Sequence, residues 1–198
     1  MLIAPFRLRG FTLIEMMIAV TVMIVLLLVA IPSFQTFRQR AAVRAAADQS
    51  LVLWNQARFE AAKRNTFVKF AGQISGGAYC LGAATTTNPA DTVACDCFTA
   101  NACNVAQFPS SGEQREWRQV TLAADSTSPA PLGVVVIEPK RTFLTPTSAE
   151  GALTFNGPPG QNSYKLYLRV DQFGRAVLCE PVGAVSKLSD YNTRRCSN

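Results

Sequence analysis

Between Phe11 and Ile31 the chain is an almost unbroken run of Ile, Leu, Val, Met, Ala and Phe, interrupted only by Thr12, Glu15 and Thr21. At about 1.5 Å per residue this run, apolar on every face, is roughly 31 Å long, which matches the hydrocarbon thickness of a bilayer. The sequence therefore predicts one membrane crossing. A secretory signal peptide is the alternative, but its apolar core runs only about 7 to 15 residues before a small-residue cleavage site. Val29, Ala30, Ile31 and Pro32 make a poor site of that kind. Flanking charge does not orient the span, because Arg7 and Arg9 on one side face Arg38, Arg40 and Arg44 on the other.

The remaining composition narrows the function classes. The 198 residues carry a formal charge of +6, six cysteines and no histidine. Without histidine, Ser-His-Asp and Cys-His catalysis, most catalytic zinc sites and the usual near-neutral proton shuttle are ruled out. The scattered Asp and Glu form no recognisable catalytic pair and no phosphate loop is present, so no enzyme, cofactor or metal is expected. The positive charge suggests nucleic acid or anionic lipid until it is located. Residues 1–10 hold +2 and residues 38–69 hold +5, whereas residues 70–198 balance ten bases with ten acids. A claim for DNA must rest on a local patch.

Glu15 is the anomaly in the apolar run. An ionisable group inside a membrane span is costly unless it finds a partner, and this makes it a functional candidate. Taken alone it also suits a bare anchor whose carboxylate reaches the headgroups. Its neighbours bear on that choice. Gly10-Phe11-Thr12-Leu13-Ile14-Glu15, after a short basic leader and before a long apolar helix with Pro32, resembles the class III signal of type IV pilins and type II secretion pseudopilins.

The resemblance implies cleavage by a prepilin peptidase between Gly10 and Phe11 and methylation of the new Phe11 amine. It implies that Glu15 meets the N-terminal amine of a neighbouring subunit during assembly, which would supply the partner that a carboxylate in a greasy bundle requires. It also implies a cytoplasmic leader and a periplasmic C-terminal region, anchored in the inner membrane and able to move into an extracellular pilus. Pro32 stands where such proteins often carry a kinking proline, and it can equally mark the end of the span.

From Ser33 to about Asn65 the chain is rich in Ala, Arg, Gln and Glu and contains no Gly or Pro, so the helix should continue. Val43, Ala47, Leu51, Trp54 and Ala61 fall on one face, a stripe suited to packing on a sheet. The stretch from Leu51 to Asn65, followed by Val68, looks like the helix-to-strand passage of the GspH/FimT pseudopilin family. That likeness implies a minor pilin whose partners are other minor pilins and the major pilin or pseudopilin. Arg38, Arg40 and Arg44 read as a solvated helix face, with lipid headgroups as the alternative.

Beyond residue 70 short β-prone runs alternate with Gly, Pro, Asn and Asp. Strands are expected at Val68–Phe70, Ala78–Leu81, Arg118–Leu122, Gly133–Ile137, Ala152–Phe155, Tyr164–Val170 and Arg175–Cys179, and a long irregular loop at 82–111. The last two strands form the clearest pair, joined through Asp171-Gln172-Phe173-Gly174. The expected fold is α+β and pilin-like: a long N-terminal helix on an antiparallel β-sheet domain. Its parts are a leader at 1–10, a membrane and assembly helix at 11–32, a periplasmic half-helix at 33–66 and a β-rich domain at 67–198.

Six cysteines admit 15 pairings. Cys179 is expected to bridge to Cys196, tying the tail to the last strand, a closure that pilin-like proteins often use. Cys80, Cys95, Cys97 and Cys103 are expected to form two more bridges with the pairing open, except that Cys95 and Cys97 stand too close together to pair comfortably. A four-thiolate metal site is the competing reading, and the paired C-x-x-C spacing it needs is missing. Some FimT-like members contact DNA through a C-terminal Gly-Arg-x-Arg motif. Gly174 and Arg175 match its first half, but Val177 replaces the second Arg, leaving Arg194, Arg195 and Lys187 as substitute phosphate contacts.

Overall fold

A computed structural model of the protein describes residues 11–110, 112–123, 133–141, 143–145, 151–158, 164–181, 188, 191 and 196. Among the described residues one α-helix, α1 (Leu13–Arg64), is followed by nine strands: β1 (Phe67–Ser75), β2 (Ala78–Thr86), β3 (Ala106–Phe108), β4 (Thr121–Ala123), β5 (Val135–Ile137), β6 (Leu144–Thr145), β7 (Gly151–Asn156), β8 (Lys165–Val170) and β9 (Ala176–Cys179). The expected α+β architecture is present: a long N-terminal helix followed by antiparallel sheet. α1 runs through Pro32 without ending. The chain divides into two compact units, Met1–Arg38 and Gln39–Asn198.

In the first unit every described apolar side chain of the helix is exposed; Phe11, Leu13 and Leu28 are 77%, 79% and 69% accessible. The segment is long and apolar enough to cross a membrane. Its one mid-span hydroxyl is satisfied within the helix, since Thr21 Oγ1 donates to the carbonyls of Met17 and Ile18 at 3.0 and 2.8 Å. Backbone and side-chain polar groups must be paired internally in such a setting.

In the second unit the strands form two antiparallel sheets, ordered β3-β2-β1-β5-β6 and β4-β7-β8-β9. Gly76 and Gly77, at φ of 57° and 76°, turn β1 into β2 and set the register Ser75↔Ala78 through Phe67↔Thr86. Both residues of this tight turn need positive φ, which glycine adopts without strain. The helix stretch from Gln39 to Arg64 buries Val43, Ala46, Ala47, Ser50, Leu53, Trp54, Ala57 and Ala61. The small residues in this set let the helix backbone approach the strands. Leu51, expected on that face, is only half-buried; Leu53 is buried in its place. One apolar core joins this face to both sheets, through Phe70, Leu81 and Ile137 of the first and Phe155, Leu166 and Leu168 of the second.

Two segments differ from expectation. Residues Glu113–Gln119 form a 3₁₀ helix, so the strand expected from Arg118 begins only at Thr121. This run of Glu, Gln and Arg lacks strand alternation, and it is anchored by Trp117, edge-on to Phe108 at 4.9 Å. The stretch from 82 to 111 is less irregular than its composition suggests. β2 extends to Thr86 because Ala83 and Ala84 pair with Phe70 and Lys69, and Ala106–Phe108 adds a third strand beside it.

Candidate functional site

Three places carry the chemistry expected of the chain: the head of α1, the β8–β9 turn and the cysteine bridges.

At the head of α1, Thr12 precedes the first helical residue. Its carbonyl accepts the Met16 amide at 3.2 Å and its Oγ1 accepts the Glu15 amide at 3.3 Å. Thr12 is therefore the N-cap and Glu15 the third helical position, the spacing of a capping box of which the Thr12 half is formed. The Thr12-x-x-Glu15 spacing is the sequence signal for this cap, and it lies beneath the two readings of Glu15 as a charge needing a partner or reaching the headgroups. A carboxylate here also opposes the positive end of the helix dipole. Glu15 is exposed, and no cation pairs with it among the described residues. Its carboxylate is thus open to another chain. Gly10 lies outside the described residues; Phe11 is exposed immediately before the cap.

Residues 6–31 match the prokaryotic N-terminal methylation motif. The chain carries the N-terminal signature of prepilin-like proteins. No curated protein and no solved structure matches the chain. The matched span contains Gly10, Phe11, Glu15 and the whole apolar run, so a sequence signature and a helix suited to a membrane coincide at the same residues.

The β8–β9 turn is organised by one carboxylate. Asp171 Oδ1 accepts the amides of Phe173 and Arg175 at 2.9 and 2.8 Å, while Oδ2 takes the Arg175 Nε at 2.7 Å. The Arg175 guanidinium also lies 5.8 Å from the Phe173 ring. Gly174 sits at φ 73° and its carbonyl faces inward, accepting the Trp54 indole N–H at 3.0 Å. The Gly174-Arg175 pair therefore has a structural explanation: the glycine turns the chain and the arginine is ion-paired with Asp171 at the surface. Val177 is exposed, and its register partner is Arg169. Arg194, Arg195 and Lys187 lie outside the described residues.

Two of the helix bases considered for lipid are engaged within the second unit. Arg40 donates its Nε to the hydroxyl of buried Tyr164 at 2.6 Å. Arg44 pairs with Asp48 at 3.8 Å and lies over the Tyr191 ring. Tyr191 donates to Asp48 at 3.2 Å, and burial, reinforced by the Asp48 charge, raises its phenol above the usual range.

All six cysteines are bridged: Cys80–Cys97, Cys95–Cys103 and Cys179–Cys196. No group of His, Cys, Asp or Glu suited to a metal occurs among the described residues. On β2, Tyr79, Leu81 and Ala83 face the core, whereas Cys80 and Gly82 face outward beneath a lobe formed by the two crossed bridges. The lobe is pinned to β1 by Lys69 and Asp91 at 3.0 Å and by the Cys97 amide, which donates to Gln73 Oε1 at 3.1 Å. Asn104 completes the attachment, accepting the Thr85 amide and donating to the Thr85 hydroxyl. On the other sheet, Cys179–Cys196 joins Ala152 and Tyr167 in a small outer cluster, and the Cys196 amide donates to the Glu180 carbonyl at 3.1 Å. Disulfides thus cover part of the outer face of each sheet.

Proposed function

We propose that this chain is a minor type IV pilin or type II secretion pseudopilin of the GspH/FimT kind, a part for assembly with no chemistry of its own. A prepilin peptidase removes residues 1–10 on the cytoplasmic side and methylates Phe11. The segment 11–32 holds the protein in the inner membrane with the β-rich domain in the periplasm, and Glu15 then guides its entry among other pilins into a tip or initiating complex. The observation that carries this reading is the coincidence of the methylation motif with a capped helix that is apolar all round and bears a single carboxylate at its head. DNA uptake is not carried as a second reading, because no observation favours it: Arg175 is ion-paired with Asp171 and Val177 stands where the second Arg of the motif would be.

The test is the intact mass of the chain isolated from cells with and without a prepilin peptidase. With the enzyme, the chain should begin at Phe11 and carry one added methyl group; without it, residues 1–10 should remain. A chain that keeps its leader in both would overturn the proposal.

A further inference from the structure

The bridges Cys80–Cys97 and Cys95–Cys103 cross in sequence, each enclosing one cysteine of the other. They also cross in space over one residue. A Cβ on Gly82 would lie 2.4 Å from Cys103 Sγ, 2.7 Å from Cys95 Sγ and 3.0 Å from Cys97 Cβ. Only a glycine lets both bonds close on β2, and three of the four cysteines are then buried.

Nothing in the unfolded chain favours this pairing. The sequential alternative, Cys80–Cys95 with Cys97–Cys103, closes loops only two residues shorter in each case, and closure cost changes slowly with length. Order of appearance favours the wrong set. In a domain that emerges behind the membrane segment into an oxidising compartment in chain order, Cys80 and Cys95 meet before Cys97 arrives. Once four cysteines have paired sequentially and Cys179 has joined Cys196, no thiol remains in the chain, because all six cysteines are used. Disulfides exchange only by thiolate attack, so the mispaired chain cannot correct itself.

We infer that this protein is a client of a thiol–disulfide isomerase, a protein with a reactive thiolate, and that Gly82 selects the crossed pairing that the isomerase makes reachable. The exchange is redox-neutral. The isomerase thiolate attacks Cys95 Sγ, forming a mixed disulfide and releasing the Cys80 thiolate. Cys80 attacks Cys97 Sγ, closing Cys80–Cys97 and releasing the Cys103 thiolate. Cys103 attacks Cys95 Sγ in the mixed disulfide, closing Cys95–Cys103 and returning the isomerase thiolate. The oxidising environment rests on the periplasmic placement proposed above.

The experiment uses the full chain in detergent, reduced and denatured, then oxidised rapidly, freed of oxidant and incubated with or without a reduced bacterial disulfide isomerase, with no other thiol present. Cleavage before aspartate separates Cys80 (48–90), Cys95 (91–95) and the Cys97–Cys103 segment (96–124), and cleavage after Phe98 parts the last two cysteines. The crossed fraction should rise several-fold with the isomerase, while Cys179–Cys196 forms equally well in both. Equal crossed yield without it would overturn the inference. Gly82→Ala should lose the crossed set even with isomerase and retain Cys179–Cys196; a normal crossed yield would remove the role given to Gly82. Thiol alkylation in cells separates the two ideas, since a fully reduced chain would refute the periplasmic placement and leave the purified-chain result to decide the isomerase.

Discussion

Trp54 of α1 donates its indole N–H to the carbonyl of Gly174 across 120 residues, at 3.0 Å and out of contact with solvent. The same ring stands edge-on to Phe70 of β1 at 5.0 Å. One side chain therefore joins the helix to the first sheet by an aromatic contact and to the second by a hydrogen bond. Trp54→Phe should leave the buried carbonyl unpaired and a small void beside it, lowering stability by about 2–4 kcal/mol. Urea unfolding of the detergent-solubilised chain, followed by circular dichroism, measures this. An unchanged midpoint would show that the bond adds nothing.

Tyr79 points the other way. Its ring is buried between Phe108 and Phe155, and its hydroxyl has no hydrogen-bond partner among the described residues. Burial raises its phenol well above the usual range. Removing an unpaired buried hydroxyl costs little, so Tyr79→Phe should be neutral or stabilising by up to about 1 kcal/mol. A clear loss in the same unfolding experiment would reveal a partner for the oxygen.

Acid should loosen the crossed-disulfide lobe. The Val93 amide, with Lys69 and the Thr86 hydroxyl, holds the Asp91 carboxyl below its ordinary value. The Thr99 hydroxyl and the Phe98 amide do the same for Asp96. A depressed folded pKa stabilises the fold fully above the unfolded value of about 3.9, and the contribution is lost as pH falls through the folded value. The lobe should be indifferent to pH between about 5 and 8 and weaken only below about 4. Carboxyl-carbon NMR titration should place both midpoints below about 3.9; ordinary midpoints would remove the effect.

At the β8–β9 turn Arg175 is ion-paired with Asp171, so Arg175→Ala should leave the gel-shift behaviour of the full chain with DNA unchanged. Asp171→Ala frees that charge and should raise retention in a salt-sensitive way, while losing two amide contacts worth about 1 kcal/mol. Gel shifts over a salt series distinguish the two variants. Loss of binding in Arg175→Ala would restore the turn as a DNA contact.

Glu15→Ala should leave the protein inserted and cleaved, since Thr12 still caps the helix, but unable to join the assembly. Counting surface filaments beside the processed mass separates these steps. Normal filaments in that strain would remove the role assigned to the carboxylate.

Covalent order and local periodicity made much of this protein legible in its sequence. An apolar run can be read from composition alone because a bilayer selects for length and hydropathy, and the Gly10-to-Glu15 pattern is contiguous. The alternation of Leu166, Leu168 and Val170 revealed β8 for the same reason: its period is local. Where local signals were weak, the reading faltered. Ala83 and Ala84 carry no strand signal of their own, and they lie in β2 because β1 supplies the ladder and the disulfide lobe covers the outer face.

Pairing across distance was decided by the tertiary structure. Which of Cys95 and Cys97 bonds to Cys80 depends on the close approach over Gly82, and no spacing rule encodes it. The fate of Arg175 turned on Asp171 and on a glycine whose carbonyl faces Trp54. The sequence by itself determined a helix long and apolar enough to cross a membrane and bearing one carboxylate, since that depends on consecutive residues. Only the folded chain decided which charges stay free and which sulfurs meet, because those outcomes depend on groups brought together from far apart.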